Sequence, residues 1–335
     1  MRKRALLSTG LAMIVALSCS SEVLDAYVSP ELEAYCAVAT RADLVSWVGG
    51  VVTLCEQGEM DHHGACTAGR LVDGAIEPIE LADGLALRVA LPASRGRLLV
   101  LLADERLVLI DRGGAIERVL DRWAADPGIS EDGERVAWIG IPDGFDLAEV
   151  GLGTPKVVAV QSLSENARTV LVEDNMASAP RPIPGSSEVL YVSGNEEGIA
   201  GFFLVGPGRG ATQITNVGIV DADEELDPVA GSPSLWASNG SFFYGVTGLE
   251  SVEEPIDDAD ADPPPDDDLE NGELVDDAEL EVSHLFRLVI VDDVATVEEV
   301  GEGGWPQLDG DGAVLAALPL GSAPCATTYA TDGAP

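Results

Sequence analysis

The stretch DPGISEDGERVAWIG, residues 126–140, places a proline and an Asp-Gly pair ahead of a short apolar run that contains one tryptophan. Asp-Gly favours tight turns because glycine accepts a positive φ angle. The run that follows is too short for a helix and is bounded by turn residues, which is typical of a strand that begins at a hairpin. The stretch therefore predicts a turn and a strand, and it decides the fold if it repeats.

The pattern recurs, giving six copies in the chain. The aligned apolar runs are LVSWVGG (44–50), LLVLLAD (98–104), RVAWIGI (135–141), VLYVSGN (189–195), FFYGVTG (242–248) and VLAALPL (314–320). Further strand-like runs follow most copies, so each copy supplies about four strands, the content of one propeller blade. Trp47, Trp138, Tyr191 and Tyr244 recur at one repeat position. That regularity favours packing between blades over a ligand cage.

The segments that lead into several copies resemble the PD40, or TolB-type, propeller repeat, in which a proline and an apolar residue precede Ser-Pro-Asp-Gly and a strand. Asp132-Gly133 and Asp311-Gly312 keep the turn of that repeat, whereas Ser186-Ser187 and Asn239-Gly240 depart from it. The resemblance covers roughly residues 38–325. It implies an all-β fold, a six-bladed β-propeller of four-stranded antiparallel blades, and says almost nothing about function.

The N-terminus has the features of an export signal. Three basic residues at positions 2–4 precede an apolar stretch, 5–17, that is too short to span a bilayer. Ala16-Leu17-Ser18-Cys19 resembles the lipobox of bacterial lipoproteins, in which the cysteine is acylated. Ser20, rather than an aspartate, follows the cysteine. In the lipoproteins that this segment resembles, that residue implies a location in the bacterial outer membrane, so the chain is expected to face the periplasm or the cell surface. Residues 1–18 are therefore predicted to be a lipoprotein signal peptide and Cys19 the lipidation site, with an ordinary secretory signal as the alternative.

Four further cysteines, Cys36, Cys55, Cys66 and Cys325, favour two disulfides in an exported chain, and four cysteines allow three pairings. The short spacing of Cys55 and Cys66 suggests one local bridge, and the other two cysteines would then join the ends of the domain. The sixth copy runs out of chain, so strands from both termini are expected to close the ring. Residues 19–37 would serve as tether and closing strand, and 38–335 as the propeller.

The chain is strongly acidic, with 18 basic and 59 acidic residues and a formal net charge of −41. Loss of residues 1–18 would remove three bases and no acids, which leaves −44. The segment 250–281 holds 16 acidic residues and no base, so the remainder still carries −28. Such a surface repels phosphate backbones and anionic headgroups, which excludes nucleic acid as a partner and leaves the lipid anchor as the contact with the membrane.

The acidic segment 250–281 is predicted to be a disordered insertion, because it combines charge with Pro-Pro-Pro and buries no core. Its carboxylates are weak candidates for a calcium site, since the spacings resemble an EF-hand loop but lack the required glycine and flanking helices. These candidates are Asp258, Asp260, Asp262, Asp266, Asp268 and Glu270. Adjacent His62 and His63 form a second weak metal candidate. No cofactor is expected otherwise.

Catalytic motifs such as Gly-x-Ser-x-Gly and HExxH are absent from the sequence, and only three histidines are present. The sequence therefore favours a non-enzymatic, membrane-anchored scaffold that binds an envelope protein or peptide. One alternative is a propeller enzyme, a lyase or hydrolase with channel-facing carboxylates. Another is a calcium-responsive surface protein.

Overall fold

Nearly every regular element of the chain is a β-strand, as predicted. The computed structural model describes residues 38, 44–56, 65–72, 75–82, 85–151, 153–194, 200–216, 227–228, 235–236, 240–251, 279–291, 293–308, 314–317 and 326–329. Within these ranges 24 strands, β1 to β24, alternate with turns and two single-turn 3₁₀ helices, Ser94–Gly96 and Leu147–Glu149. Each strand pairs antiparallel with its neighbour in the sheet.

The first eight strands form two consecutive four-strand units within one sheet. The first unit comprises β1 (Leu44–Val48), β2 (Val51–Cys55), β3 (Cys66–Val72) and β4 (Ala75–Pro78). The second comprises β5 (Leu87–Pro92), β6 (Leu98–Leu102), β7 (Leu107–Ile110) and β8 (Ile116–Asp121). The two units join where Cys66 pairs with Leu87.

The next two units are separate four-stranded sheets in which strands pair in chain order. The third unit comprises β9 (Ala125–Ile129), β10 (Arg135–Gly140), β11 (Val157–Ser162) and β12 (Thr169–Glu173). The fourth comprises β13 (Ser178–Pro182), β14 (Val189–Gly194), β15 (Ala200–Gly206) and β16 (Arg209–Asn216). Short hairpin turns explain this up-and-down order, because antiparallel neighbours need only a few residues between them.

The last two units depart from the regular pattern. In the fifth, two short strands precede three long ones: β17 (Asp227–Pro228), β18 (Leu235–Trp236), β19 (Ser241–Ser251), β20 (Glu279–Val291) and β21 (Val294–Glu302). The sixth contains, in the described ranges, β22 (Gly304–Leu308), β23 (Val314–Ala317) and β24 (Ala326–Tyr329). The predicted closing strand, within residues 19–37, lies outside the described residues, so its role stays a prediction.

Consecutive units pack face to face, and the second strands of the second, third and fourth units each contribute to two cores. In β10, Val136 and Trp138 belong to the core shared with the second unit. Ala137 and Ile139, which alternate with them, belong to the core shared with the fourth unit. A strand buried on both faces must be apolar at every position, which explains the continuous apolar runs of the sequence. Successive stacked antiparallel sheets of this kind are the blades of a β-propeller.

The aligned runs occupy equivalent strands in five of the six units. They are β6, β10, β14, β19 and β23, each the second strand of its unit in pairing order; in the fifth unit the short strands β17 and β18 both pair with β19. The alignment is wrong for the first unit, where 44–48 form the first strand, and its second strand is β2, buried at every position. Gly49 and Gly50, both with positive φ, form the hairpin after the run rather than before it.

The Asp-Gly turn of the opening stretch fixes the start of β10. The Ser130 hydroxyl donates to Asp132 Oδ1, and the same carboxylate oxygen accepts from the Glu134 N–H at 3.0 Å. Gly133, with φ of 67°, packs against the preceding unit, where its carbonyl accepts from the Ser94 N–H at 3.0 Å. An added Cβ at Gly133 would lie 2.5 Å from Ser94 N, so only glycine fits.

A hydrogen bond between an aspartate and an aromatic side chain joins consecutive units at two places. Trp138 Nε1 donates to Asp121 Oδ2 at 2.8 Å, and the Tyr191 hydroxyl donates to Asp174 Oδ2 at 3.1 Å. In both pairs the aspartate precedes the aromatic residue by 17 positions. Burial, and then the negative charge of Asp174, raises the pKa of Tyr191, so this phenol stays a donor.

Arg168 completes the first of these contacts. Its guanidinium forms ion pairs with Asp121 and Asp143, and it donates to the Ile141 carbonyl at 2.9 Å. The side chains of Arg168 and Asp121 are only 15% and 11% exposed. Since a carboxylate this buried needs its partners, the pair holds the second and third units together.

Replacing Arg168 by methionine should lower the free energy of unfolding by about 2 to 4 kcal/mol, because the Asp121 carboxylate would lose its charged partner while staying buried. Denaturant unfolding measures this change. The control is Arg106→Met, which removes the exposed pair Arg106–Asp104 (2.7 Å) and should cost less than about 1 kcal/mol. Equal losses in the two variants would contradict the structural role of Arg168.

The Asp132 turn should make stability depend on pH. The Ser130 hydroxyl and then the Glu134 N–H lower the pKa of Asp132. Its contribution is therefore complete above the unfolded-state pKa, about 3.9, and is lost as the pH falls through the folded-state pKa. Asp132→Asn should be less stable than the parent at neutral pH, and this difference in stability should shrink as the pH falls from about 4 through the lowered folded-state pKa. Thermal melts of the parent and the variant at several pH values measure this difference, with Glu131→Gln as the matched control. A stability difference that does not change with pH would contradict the role of Asp132.

Candidate functional site

The first strands of the units carry a recurrent irregularity opposite the aromatic repeat position. Ala125 pairs with Ile139 and Gly128 with Ala137, so Asp126-Pro127 together oppose Trp138. The same bulge sets Ala179-Pro180 opposite Tyr191 and Trp305-Pro306 opposite Ala316. Such bulges bend a strand and redirect its side chains. In propellers the first strand of a blade lies nearest the central channel, where ligands bind.

Two of these bulges hold non-glycine residues in a disfavoured backbone conformation. Asp126 has φ of 47° and Ala179 has φ of 45°, and each precedes a proline. Left-handed backbone costs about 1 to 2 kcal/mol for such residues. Strained backbone of this kind persists only where the surrounding structure enforces it, and it concentrates at functional sites.

Arg181, from β13, lies against the neighbouring strand β9. Its Nη1 donates to the Pro180 carbonyl at 3.1 Å. Burial lowers the pKa of Arg181, and the nearby Asp126 carboxylate opposes that shift. The guanidinium fits because position 128 is glycine: an added Cβ there would lie 2.9 Å from Arg181 Nη1 and 2.1 Å from the Pro180 carbonyl oxygen.

The first strands are more basic than the rest of the chain. Among first-strand side chains that the structure describes, the ionisable ones are Arg88, Asp126 and Arg181. Asp126 and Arg181 lie close enough to interact, and Arg88 belongs to a different unit. Arg88 also lies 3.7 Å from Glu105, which ties it to the turn after β6.

The fifth unit contains a second candidate, a two-stranded ribbon. β19 and β20 pair continuously from Ser241–Val289 to Ser251–Glu279. β21 pairs only with residues 284–291 of β20, and β17 reaches only Thr247 of β19. Residues 248–251 and 279–283 therefore extend beyond the other described strands by about 15 Å, at about 3.3 Å per residue. We call these residues the ribbon.

Side-chain contacts connect the strands at the base of the ribbon. His284 Nδ1 lies 2.9 Å from Glu299 Oε1. Arg287 donates to Glu298 Oε1 and to the Ser241 hydroxyl, both at 2.9 Å. These contacts connect all three long strands of the unit at the point where the ribbon begins.

The predicted local disulfide is present between Cys55 and Cys66. The two residues pair directly across β2 and β3, with Cα atoms 4.0 Å apart. Cys55 Sγ also lies 3.8 Å from the Arg88 carbonyl. The bridge thus lies where the first two units meet, next to the first-strand arginine of the second unit.

The other sequence-predicted sites lie outside the described residues. These are the lipidation site Cys19, the cysteines Cys36 and Cys325, the histidines His62 and His63, and the acidic candidates Asp258, Asp260, Asp262, Asp266, Asp268 and Glu270. Their roles stay predictions. Within the described ranges no three Asp, Glu, His or Cys side chains are grouped as metal ligands. In the same part of the chain, no helix is long and apolar enough to cross a membrane.

Sequence reasoning missed both the ribbon and the strained first-strand bulges. A signal for the bulges was present, because a proline precedes three of the aligned runs at a similar distance: Pro127, Pro180 and Pro306. The ribbon had a weaker signal. Residues 250–281 were predicted to be a disordered insertion, whereas 250–251 and 279–281 at its two ends are strand.

The comparisons with known proteins concern the fold. No family model matches the sequence, and no curated protein matches it. Among solved structures, a TolB-type protein from Agrobacterium tumefaciens has 15% identity over 84% of this chain and 85% of that chain, with a TM-score of 0.45. A puromycin hydrolase has 15% identity over 84% of this chain and 45% of the hydrolase chain, with a TM-score of 0.47. An oligogalacturonate lyase from Vibrio parahaemolyticus has 11% identity over 80% of this chain and 67% of the lyase chain, with a TM-score of 0.43. None of these similarities carries an argument about activity.

Gly128→Ala should destabilise the protein, because the new methyl group would collide with the Pro180 carbonyl and with Arg181. We expect a loss of about 2 kcal/mol or more in the free energy of unfolding. The matched control is Gly210→Ala, where nothing lies within 4 Å of the added Cβ. That variant should be unchanged or gain up to about 1 kcal/mol. Similar stability of the two variants in denaturant melts would contradict the close approach of β9 and β13.

Proposed function

We propose that this chain is a lipid-anchored, non-enzymatic interaction scaffold at the bacterial cell envelope, and that the ribbon is its docking element. The observation that carries the proposal is the extension of β19 and β20 past the other described strands of their sheet. Among the strands that the structure describes, none pairs with the outer edges of the ribbon, and backbone N–H and C=O groups at such edges pair readily with another chain.

The rest of the fold supports this role by supplying a firm base. The fifth unit shares an aromatic core with the fourth, in which Phe202 contacts Tyr244 with ring centroids 4.8 Å apart. Tyr244 in turn stacks on Phe286 of β20 at 5.6 Å. β20 runs without a break from this core into the ribbon. Because the core restricts the orientation of β20, less conformational entropy is lost when a partner binds.

The sequence supports the location. Ala16-Leu17-Ser18-Cys19 resembles a lipobox, and several acyl chains at about 0.8 kcal/mol per buried methylene anchor a protein durably. The acidic surface repels anionic headgroups, which would keep the propeller body away from the bilayer and available to an envelope protein.

Site-specific photocrosslinking in cells that produce the full chain tests the docking role. A benzoylphenylalanine at position 251, on the ribbon, should give one discrete crosslinked species. Benzoylphenylalanine in place of Val170, a 39% exposed residue of the outer strand β12, should not give this species. The physical reason is that a crosslinker reports only on a partner held within a few ångströms of its own position.

Two variants complete the experiment. Shortening the ribbon, by joining Gly248 to Val282 through Asn-Gly, should abolish partner co-purification while leaving the melting temperature within a few degrees. Cys19→Ala should move the chain from the membrane to the soluble fraction. Identical crosslinks at positions 251 and 170, or retained partner after shortening, would contradict the docking role.

A further inference from the structure

We propose that the chain cleaves its own backbone between Asp126 and Pro127, with the Asp126 carboxylate as the nucleophile. The reaction turns one chain into two that stay assembled in the same propeller, and it is independent of the proposed docking role. Three observations on the first-strand bulge of the third unit carry the proposal. They are its backbone conformation, the surroundings of its two residues, and a second bulge of the same form that lacks the carboxylate.

An Asp-Pro bond can react in this way with water alone. A carboxylate oxygen of Asp126 attacks the main-chain carbonyl carbon of the same residue and closes a five-membered anhydride ring. The C–N bond to Pro127 breaks, its electron pair stays on the proline nitrogen, and that nitrogen takes a proton from water. Water then opens the anhydride, which leaves a carboxyl group on Asp126 and a secondary amine on Pro127. Because proline has no N–H, its nitrogen cannot instead attack the side chain to form a succinimide.

The backbone of Asp126 is held in a conformation that strains this bond. Its φ of 47° lies in the left-handed region, which residues with a side chain avoid. A following proline also disfavours helical conformations in the residue before it. The bulge is fixed at both ends, because residues 125 and 128 pair with β10. Breaking the bond frees Asp126 from its link to Pro127, so part of the strain is released as the bond breaks and the reaction is accelerated.

The two residues of the bulge lie in different surroundings. Asp126 is exposed, so water has access to the carboxylate and to the anhydride, whereas Pro127 is buried and held in place. Arg181 lies close enough to interact with the Asp126 carboxylate. During the attack the negative charge moves only from the side chain to the main-chain oxygen of the same residue, so the guanidinium stays near it.

The rest of the fold holds the two new ends together. On one side of the cut residue 125 pairs with Ile139, and on the other side Gly128 pairs with Ala137. Gly128 also lies against the Pro180 carbonyl of β13. Both fragments therefore keep their places in the propeller after cleavage.

A second bulge of the same form provides an internal comparison. Ala179 precedes Pro180, has φ of 45°, and lies opposite an aromatic repeat position as Asp126 does. It has the strain and the proline but no carboxylate, so its bond should stay intact. The sequence also contains the Asp-Pro pairs 227–228 and 262–263. These pairs report how fast an Asp-Pro bond of this chain is cut outside the bulge.

Mass spectrometry of the purified full chain in mildly acidic buffer tests the activity. In the folded protein, fragments that end at Asp126 or begin at Pro127 should form at least about fivefold faster than fragments from the other two Asp-Pro bonds. In denaturing urea the fold no longer enforces the strained φ, so the three bonds should be cut at similar rates. Absence of the 126–127 cut, or an equal rate for this bond in folded and unfolded protein, would overturn the proposal.

Two substitutions separate the nucleophile from the strain. Asp126→Ala reproduces the residue of the second bulge and should abolish the cut at 126–127. Ala179→Asp adds a carboxylate to the second bulge and should create a new cut before Pro180. Continued cleavage in the first variant would overturn the role of the carboxylate, and an intact bond in the folded second variant would overturn the role of the bulge.

Size-exclusion chromatography of the cleaved parent tests whether the two chains stay assembled. The fragments should elute together at the position of the uncut protein and separate only in denaturant. Fragments that elute apart in native buffer would contradict the two-chain product.

Discussion

The hydrogen bond from a buried aromatic side chain to an aspartate of the preceding unit is the contact on which the packing of this propeller depends. Trp138 and Tyr191 are fully buried in cores between units, and an indole N–H or phenol O–H buried without a partner is costly. Asp121 and Asp174, at the ends of the preceding outer strands, supply the acceptor. The apolar core brings the sheets together, and these polar contacts fix how they align.

Sequence patterning was sufficient for the parts of the fold that depend on burial. Strand β10 was predictable because alternate residues enter two different cores, which makes the run RVAWIG apolar throughout. The first unit was misaligned because LVSWV is equally apolar and a Gly-Gly turn adjoins it. An apolar run indicates a buried strand, but it does not show the position of that strand in its sheet.

Features that depend on a distant partner were not predictable in the same way. Asp121 is one acidic residue among 59, and its role appears only when Trp138 and Arg168 are placed beside it. Arg181 likewise gains its environment from Gly128 on another strand. The 17-residue spacing between aspartate and aromatic residue is visible in the sequence, although nothing local distinguishes those aspartates from the solvated ones. The ribbon was hidden because its residues are polar and adjoin the acidic insertion.

The packing of the units supports the proposed binding role. Units fastened to each other by buried contacts form a stable base, and the ribbon extends from that base. Acidic residues would destabilise a core, whereas in solvent they keep chains apart. The charge of the chain thus acts in solvent, while its stability comes from apolar strands and a few satisfied polar groups.

A double-mutant cycle on Tyr191 and Asp174 tests the central claim most directly. The free energies of unfolding of the parent, Tyr191→Phe, Asp174→Asn and the double variant isolate the coupling across the boundary between the third and fourth units. If this contact aligns the sheets, the coupling energy should be about 1 kcal/mol or more. Additivity within about 0.3 kcal/mol would show that the two side chains act independently, and would contradict the account.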